Sequence, residues 1–362
     1  MKTSRHVDCL RLWLVIAMMG TGLSGLAHAS DWMDVRLGLP PLQFEQSGEI
    51  QRSYLQSLSH SSDIQTYGGA AGGDDEPLDL EALSKKMDNP LGSLWLLFVQ
   101  NDMIRLSDDF PLKRKRWVNV TLLQPILPVP LGSDWLLVSR PTIPLLKAPI
   151  PELDVSGQGR FPPVGPGGGG PEFNDVQDRV NTNHQFELGD IIYPMWIAPR
   201  ELPKLGGGNL IWGVGTTWIF PTATHDFFGS EKWSVGPTGL VVWDSPDWKL
   251  GVLAQQWWSF AGADDRPNVK TANIQYLLYR QLPNLWQVGM GPNVLVDWDA
   301  DDGNKLTFPV GLGVSKTTVL FGKLPIRLGA EVHYSVVQPD DVGQTWLFRI
   351  YMVPVVPSPF AG

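Results

Sequence analysis

Leu285-Trp286-Gln287-Val288-Gly289-Met290-Gly291-Pro292-Asn293-Val294-Leu295-Val296-Asp297-Trp298 alternates two kinds of side chain almost without fault. Trp286, Val288, Met290, Pro292, Val294, Val296 and Trp298 fall on one face, and Gln287, Gly289, Gly291, Asn293 and Asp297 on the other. A period of two marks a strand with a greasy side and a wet side. The twelve steps from Trp286 to Trp298, at about 3.3 Å each and tilted by about 40°, rise roughly 30 Å, which matches an apolar band with an aromatic girdle at each edge. A soluble sandwich has no use for a strand so long and so bracketed. Lipid is the solvent that its apolar face fits.

The same pattern recurs along the chain. Strands are expected near 94–103, 116–125, 134–143, 186–197, 208–220, 233–243, 248–258, 269–281, 285–298, 305–315, 324–336 and 344–353. That makes about twelve, an even number, as single-chain outer-membrane barrels require. Ser245-Pro246-Asp247 and Pro283-Asn284 are tight turns, whereas the alternate connections 104–115, 144–185, 221–232, 259–268, 299–304 and 337–343 are longer and polar. Short turns on one side and long loops on the other are the asymmetry of a membrane barrel, with both termini on the short-turn, periplasmic side. The expected fold is therefore all-β, a transmembrane antiparallel up-and-down barrel preceded by a short periplasmic segment. In that segment Pro77 to Met87 reads as a small helix, with Leu78, Leu80 and Leu83 apolar and Asn89-Pro90 as the stop.

Composition and the N-terminus agree with export. Only 18% of residues are charged, while 38 glycines, 31 prolines and 16 tryptophans are far from the make-up of an average soluble α/β enzyme. A net charge of -9 gives no basic footprint for nucleic acid. Residues 1–29 carry Lys2, Arg5 and Arg11, an apolar run from Leu12 to Met19, and Ala27-His28-Ala29, the three parts of a cleaved secretory signal. The expected order is signal peptide 1–29, periplasmic segment 30–92 with a glycine-rich linker, barrel 93–357 and tail 358–362. Cys9 is the only cysteine and leaves with the signal, so disulfides, thiolate metal sites and a cysteine nucleophile are excluded from the mature chain. No later stretch of about 18 apolar residues forms a spanning helix. A closed barrel satisfies its backbone without one.

Alternation also sorts the charges. Leu328, Ala330, Val332, Tyr334 and Val336 should face lipid, leaving Arg327, Glu331, His333 and Ser335 inside. Arg349 and Tyr351 alternate inward in the last strand, as does Asp190 ahead of Ile191, Tyr193, Met195 and Ile197. Arg140, Asp190, Asp297, Arg327, Glu331, His333 and Arg349 thus form an expected lumen set, either a self-neutralising network or a polar track for a solute. His333-Tyr334-Ser335 puts an imidazole and a hydroxyl on one strand face, with Glu331 placed to orient the ring. An enzyme acting on lipid needs that pair outward, so no enzyme is expected and a lipid hydrolase stands last among the readings. Asp297, Asp299 and Asp301 have the opening spacing of a calcium loop, but Asp302 stands where glycine belongs and Phe308 where glutamate belongs. No cofactor and no metal site is expected.

Several stretches look like a known family. Asp88-Asn89-Pro90-Leu91-Gly92-Ser93-Leu94-Trp95, Gln124-Pro125-Ile126-Leu127-Pro128, Leu210-Ile211-Trp212-Gly213-Val214-Gly215, Phe220-Pro221-Thr222-Ala223-Thr224, Lys232-Trp233-Ser234-Val235-Gly236-Pro237-Thr238 and Gln256-Trp257-Trp258-Ser259-Phe260-Ala261-Gly262 resemble, in order, the outer-membrane proteins grouped with the MetA-pathway of phenol degradation. The resemblance runs from about residue 80 to 353 and implies an outer-membrane barrel that transports aromatic or other hydrophobic compounds. It supplies no catalytic residues. The expected function is a channel or facilitated transporter for small solutes in the Gram-negative outer membrane; a non-conducting structural or binding barrel, its interior closed by side chains or by 30–92 folded in as a plug, is the second reading. The expected partners are outer-membrane lipid and lipopolysaccharide, a small-molecule solute and the barrel assembly machinery.

Overall fold

A computed structural model describes residues 79–89, 91, 94–107, 117–148, 150–151, 180–181, 186–321 and 324–356, all within one compact unit, Ser61–Gly362. The expected signal peptide, the glycine-rich linker, the interior of the 144–185 loop and the tail 358–362 lie outside the described residues. The barrel strands are β1 (Leu96–Leu106), β2 (Trp117–Leu131), β3 in two segments (Trp135–Ser139 and Ile143–Lys147), β4 in two segments (Glu187–Leu188 and Ile191–Pro199), β5 (Gly208–Phe220) and β6 (Lys232–Asp244). They continue as β7 (Trp248–Gly262), β8 (Lys270–Leu282), β9 in two segments (Trp286–Met290 and Asn293–Asp297), β10 (Leu306–Leu320), β11 (Leu324–Val337) and β12 (Gln344–Pro354). Each pairs antiparallel with the next, and β1 pairs with both β2 and β12, Asn101 standing opposite Thr121 on one side and Ile350 on the other. The ladder therefore closes into a twelve-stranded barrel with no free edge.

The two-residue period fixes which side chains go where. On β11, Leu328, Val332, Tyr334 and Val336 are exposed outward, while Arg327, Glu331, His333 and Ser335 are buried inside. Outward tryptophans ring both ends: Trp117, Trp233, Trp258, Trp298 and Trp346 at the loop side, Trp135, Trp248 and Trp286 at the turn side. At the turn side Arg280 lies over Trp248 at 5.4 Å and Lys316 over Trp286 at 4.9 Å, cations placed at the level of an aromatic belt. Apolar between two aromatic rims, the outer face is built for lipid.

Prolines interrupt the ladder where the lumen needs irregular backbone. Leu123 opposite Ile143 and Leu127 opposite Ser139 set Pro125 against Pro141, so neither donates a ladder hydrogen bond there and β3 breaks at Arg140. Pro292 does the same in β9, between Met290 and Asn293. The strand expected over 134–143 also runs further, to Lys147, so the long loop starts later than the sequence implied. Another difference lies inside. The lumen is not uniformly polar, because Ile104, Leu106, Val118, Val120, Leu146 and Leu347 pack inward at the loop side.

Leu312 sits at mid-height on β10 and is 60% exposed. Leu312→Arg should cost about 2–4 kcal/mol in unfolding measured in phospholipid vesicles. A loss under about 1 kcal/mol would mean that lipid does not cover this face.

Candidate functional site

A short helix, α1 (Leu80–Asp88), occupies the turn-side end of the lumen. Asp79 caps it, its carboxylate accepting from the backbone N–H groups of Glu81 and Ala82 at 3.0 Å each. Leu83, Ser84, Met87 and Asp88 are its buried residues, and their spacing puts them on one face. That face meets the inner walls of five strands. The Ser84 hydroxyl lies 3.0 Å from Thr317 Oγ1 of β10, and Arg327 of β11 donates to Ser84 Oγ at 3.0 Å and to Asp88 Oδ1 at 2.6 Å. Lys249 of β7 also donates to Asp88 Oδ1, and Gln287 of β9 and Gln281 of β8 donate at 2.9 and 3.3 Å. Past the helix, Leu91 presses on the far wall, where a Cβ on Gly213 of β5 would stand 2.5 Å from it.

Burial alone would raise the Asp88 carboxyl, but the Lys249 ammonium and the Arg327 guanidinium outweigh it and hold the group well below the ordinary carboxylate range. The helix is thus pinned by a carboxylate that stays ionised. Removing one partner from such a buried cluster leaves an uncompensated charge, at a cost of about 3–5 kcal/mol.

Above the helix, a second network crosses the barrel. Arg349 of β12 forks onto Asp102 of β1 at 2.9 and 3.1 Å and donates to the Gly291 carbonyl at 3.0 Å. That carbonyl is available because Pro292 breaks the ladder beside it. Glu331 accepts from Tyr279 Oη at 2.6 Å and meets His333 Nε2 at 2.9 Å, with Arg349 3.8 Å away. Between the helix and this network lies a cavity of about 130 Å³, lined by Met87 and Asp88 below, by Arg140, Glu331 and Arg349, and by apolar side chains of several strands.

At the loop side, the turn Asp226–Phe228 folds inward and its phenylalanines pack on the Ile104, Leu106 and Val118 cluster. Asp190 holds that loop: its carboxylate accepts from the backbone of Thr222, Ala223 and Ser230 at 3.1, 3.2 and 2.7 Å, and from Ser230 Oγ at 2.8 Å. Its partners make it a tether of loop backbone.

Of the seven residues singled out by alternation, the structure brings Arg140, Arg327, Glu331, His333 and Arg349 into the lumen around the cavity and its network. Asp190 sits at the loop end, and Asp297 lies near the loop-side mouth, its carboxylate accepting from Asp299 N at 3.1 Å in a local turn. Lys270 and Lys305 neutralise the neighbouring carboxylates Asp299 and Asp302 at 3.1 and 2.7 Å. Sequence reasoning missed Asp88, Asp102, Lys249, Tyr279 and Gln287. Inward parity with Gln100 and with Leu253 was the available signal for Asp102 and Lys249. The His333 ring is fully buried and bonded to Glu331, its Nδ1 has no hydrogen-bond partner among the described residues, and Ser335 Oγ accepts from Gln344 at 3.5 Å. Imidazole and hydroxyl share a face but not a hydrogen bond.

No family model and no curated protein matches the chain. Among solved structures, the barrel is similar to an outer membrane channel from Pseudomonas putida F1, at 13% identity and a TM-score of 0.48, over 80% of this chain and 100% of that one. It is also similar to the outer membrane phospholipase A of Escherichia coli, at 13% identity and 0.37, over 75% and 98%. A FadL homologue of Pseudomonas aeruginosa matches at 9% identity and 0.30, over 78% and 95%.

The Tyr279–Glu331 contact should behave as one unit with its neighbours. Tyr279→Phe is expected to cost about 1.5–3 kcal/mol in the native protein, and under about 1 kcal/mol in a Glu331→Gln background, where the charge it serves is gone. Equal costs in both backgrounds would dissolve the network.

Proposed function

We propose that the chain is an outer-membrane channel or facilitated transporter for small solutes, closed at rest by α1 seated in its periplasmic end. The carrying observation is the Asp88 clamp. Helix α1 belongs to none of the strand ladders, and its buried face combines the apolar Leu83 and Met87 with charged and hydrogen-bonded contacts to Lys249, Arg327, Gln287 and Thr317. The polar part of that contact has a ready alternative, because water can solvate the same groups when the helix leaves. The helix is then one arm of a two-state equilibrium, and the inner charges set what passes when it is out. The resemblance to the MetA-pathway proteins favours small aromatic or hydrophobic compounds as the solute. No energy source is needed for such diffusion.

The second reading is a barrel that binds or braces without conducting. The apolar packing of Phe227 and Phe228 at the loop side favours it, since that end is filled like a protein core. Deletion of 30–92 separates the two. A channel gains conductance in planar bilayers when the helix is removed, and Asp88→Asn opens it part of the time. A barrel silent in both variants is structural.

The pH dependence has a definite sign. A carboxyl whose value is depressed in the closed state contributes its hold fully above the ordinary value near 4 and loses it only as pH falls through the depressed one. With Asp88 held low, conductance of the intact protein should stay flat from about pH 8 to about pH 5. A rise between about pH 7 and 6 would assign the closure to a group other than Asp88.

A further inference from the structure

The cavity above α1 is lined by a guanidinium, Arg140, with which no carboxylate among the described residues pairs. Lys249 and Arg327 are paired with Asp88, and Arg349 with Asp102. Arg140 lines the same space, yet its Nε is buried with no hydrogen-bond partner, and among the described residues no carboxylate pairs with its guanidinium. Among the described residues the carboxylates Asp88, Asp102 and Glu331 are taken by Lys249, Arg327 and Arg349, with Asp244 also near Lys249, and none of the four pairs with Arg140. A buried polar group without a partner is costly, and a guanidinium is the fork that matches a carboxylate with two parallel hydrogen bonds.

The surroundings narrow the ligand. Arg140 stands over the Phe98 ring at 5.4 Å, and Phe98 stacks on Tyr351 at 5.3 Å. Tyr351 in turn lies across Gly329, where a Cβ would come within 2.2 Å of the ring. The rest of the wall near it is apolar, including Leu96, Ile126, Leu240 and Leu253. A second negative charge would meet no free cation there, so a phosphate dianion fits poorly and a monoanion with an apolar body fits well. The volume of about 130 Å³ is near the roughly 150 Å³ at which an engineered apolar cavity admits benzene.

We propose that this cavity is a binding site for a small monocarboxylate with an apolar or single-ring body, its carboxylate on Arg140 and its body against the Leu96–Ile126 and Leu240–Leu253 walls. The proposal deepens the channel reading and rests on it for its biological sense. The bound acid would sit directly above Asp88, between the helix and the network of Arg349.

Calorimetry on the full-length protein in detergent, with benzoate and its uncharged counterpart benzamide as probes, tests it. Benzoate should bind saturably and benzamide at least about tenfold more weakly; Arg140→Gln should weaken benzoate by at least about tenfold, and Arg140→Lys, which keeps the charge but not the fork, should fall between the two. Heat-dependent electrophoretic mobility reports whether each variant has folded. If Arg140→Gln does not fold, Leu240→Trp, which fills the apolar wall and leaves Arg140 in place, should abolish benzoate binding. Absence of benzoate binding, equal binding of benzamide, or unchanged benzoate affinity in Arg140→Gln or Leu240→Trp overturns the site. Conductance of the 30–92 deletion in potassium chloride reads the channel separately. Conduction without benzoate binding sinks this inference alone, and benzoate binding without conduction sinks only the channel.

Discussion

One carboxylate between two cations governs the lumen. Lys249 and Arg327 project from strands four apart in the ring, β7 and β11, and both reach the Asp88 oxygen that the end of α1 delivers. Without it, two like charges would share a low-dielectric space, each carrying a desolvation cost of several kcal/mol. With it, the helix has a defined seat and the turn-side end of the barrel a stopper. Leu83 and Met87 add apolar cover, but the clamp sets the register of the helix against the strands.

The strand breaks serve the same interior. A perfect ladder uses every backbone group on its neighbours and leaves none for the lumen. Pro292 frees the Gly291 carbonyl for Arg349 and Gln275, each at 3.0 Å. The facing prolines Pro125 and Pro141 place Arg140 at an interruption of β3. Backbone irregularity of this kind is tolerated at membrane depth only where it faces protein or a cavity, and both breaks do.

The barrel was legible in the sequence because lipid imposes one rule on every strand: alternate residues must be apolar. Leu285 to Met290 and Leu324 to Val336 obey it, and Gln287, Arg327, Glu331, His333 and Ser335 on their inward face are buried, whereas beyond Pro292 every residue from Asn293 to Asp297 is half-buried. The first strands were harder, since Ile104, Val118, Val120 and Leu146 are apolar on the inner face as well, and two apolar faces erase the alternation. Asp88 was hidden for another reason. Asn89-Pro90 signalled a helix stop, so the helix was expected to end at Met87, one residue short of the clamp; it runs to Asp88 and starts at Leu80. Its partners lie 161 and 239 residues away along the chain, a distance over which no periodicity carries information.

The two ends of the lumen are closed by different physics, and this decides which one gives way first. At the loop side, Phe227 and Phe228 bury apolar surface against the strand cluster, and lifting them into water forfeits about 25 cal/mol for every Å² exposed, with nothing returned. Asp190 adds several backbone hydrogen bonds that must break together. At the turn side, withdrawing α1 also uncovers Leu83 and Met87, but it exposes Asp88, Lys249, Arg327 and Gln287 as well, and hydration of these groups offsets part of the cost. The turn-side end gives way first, and conduction also needs the Phe227 and Phe228 packing at the loop side to part. A barrel that opens should therefore do so from the side of its termini, with Arg140 and the cavity as the first part of the interior that the leaving helix uncovers.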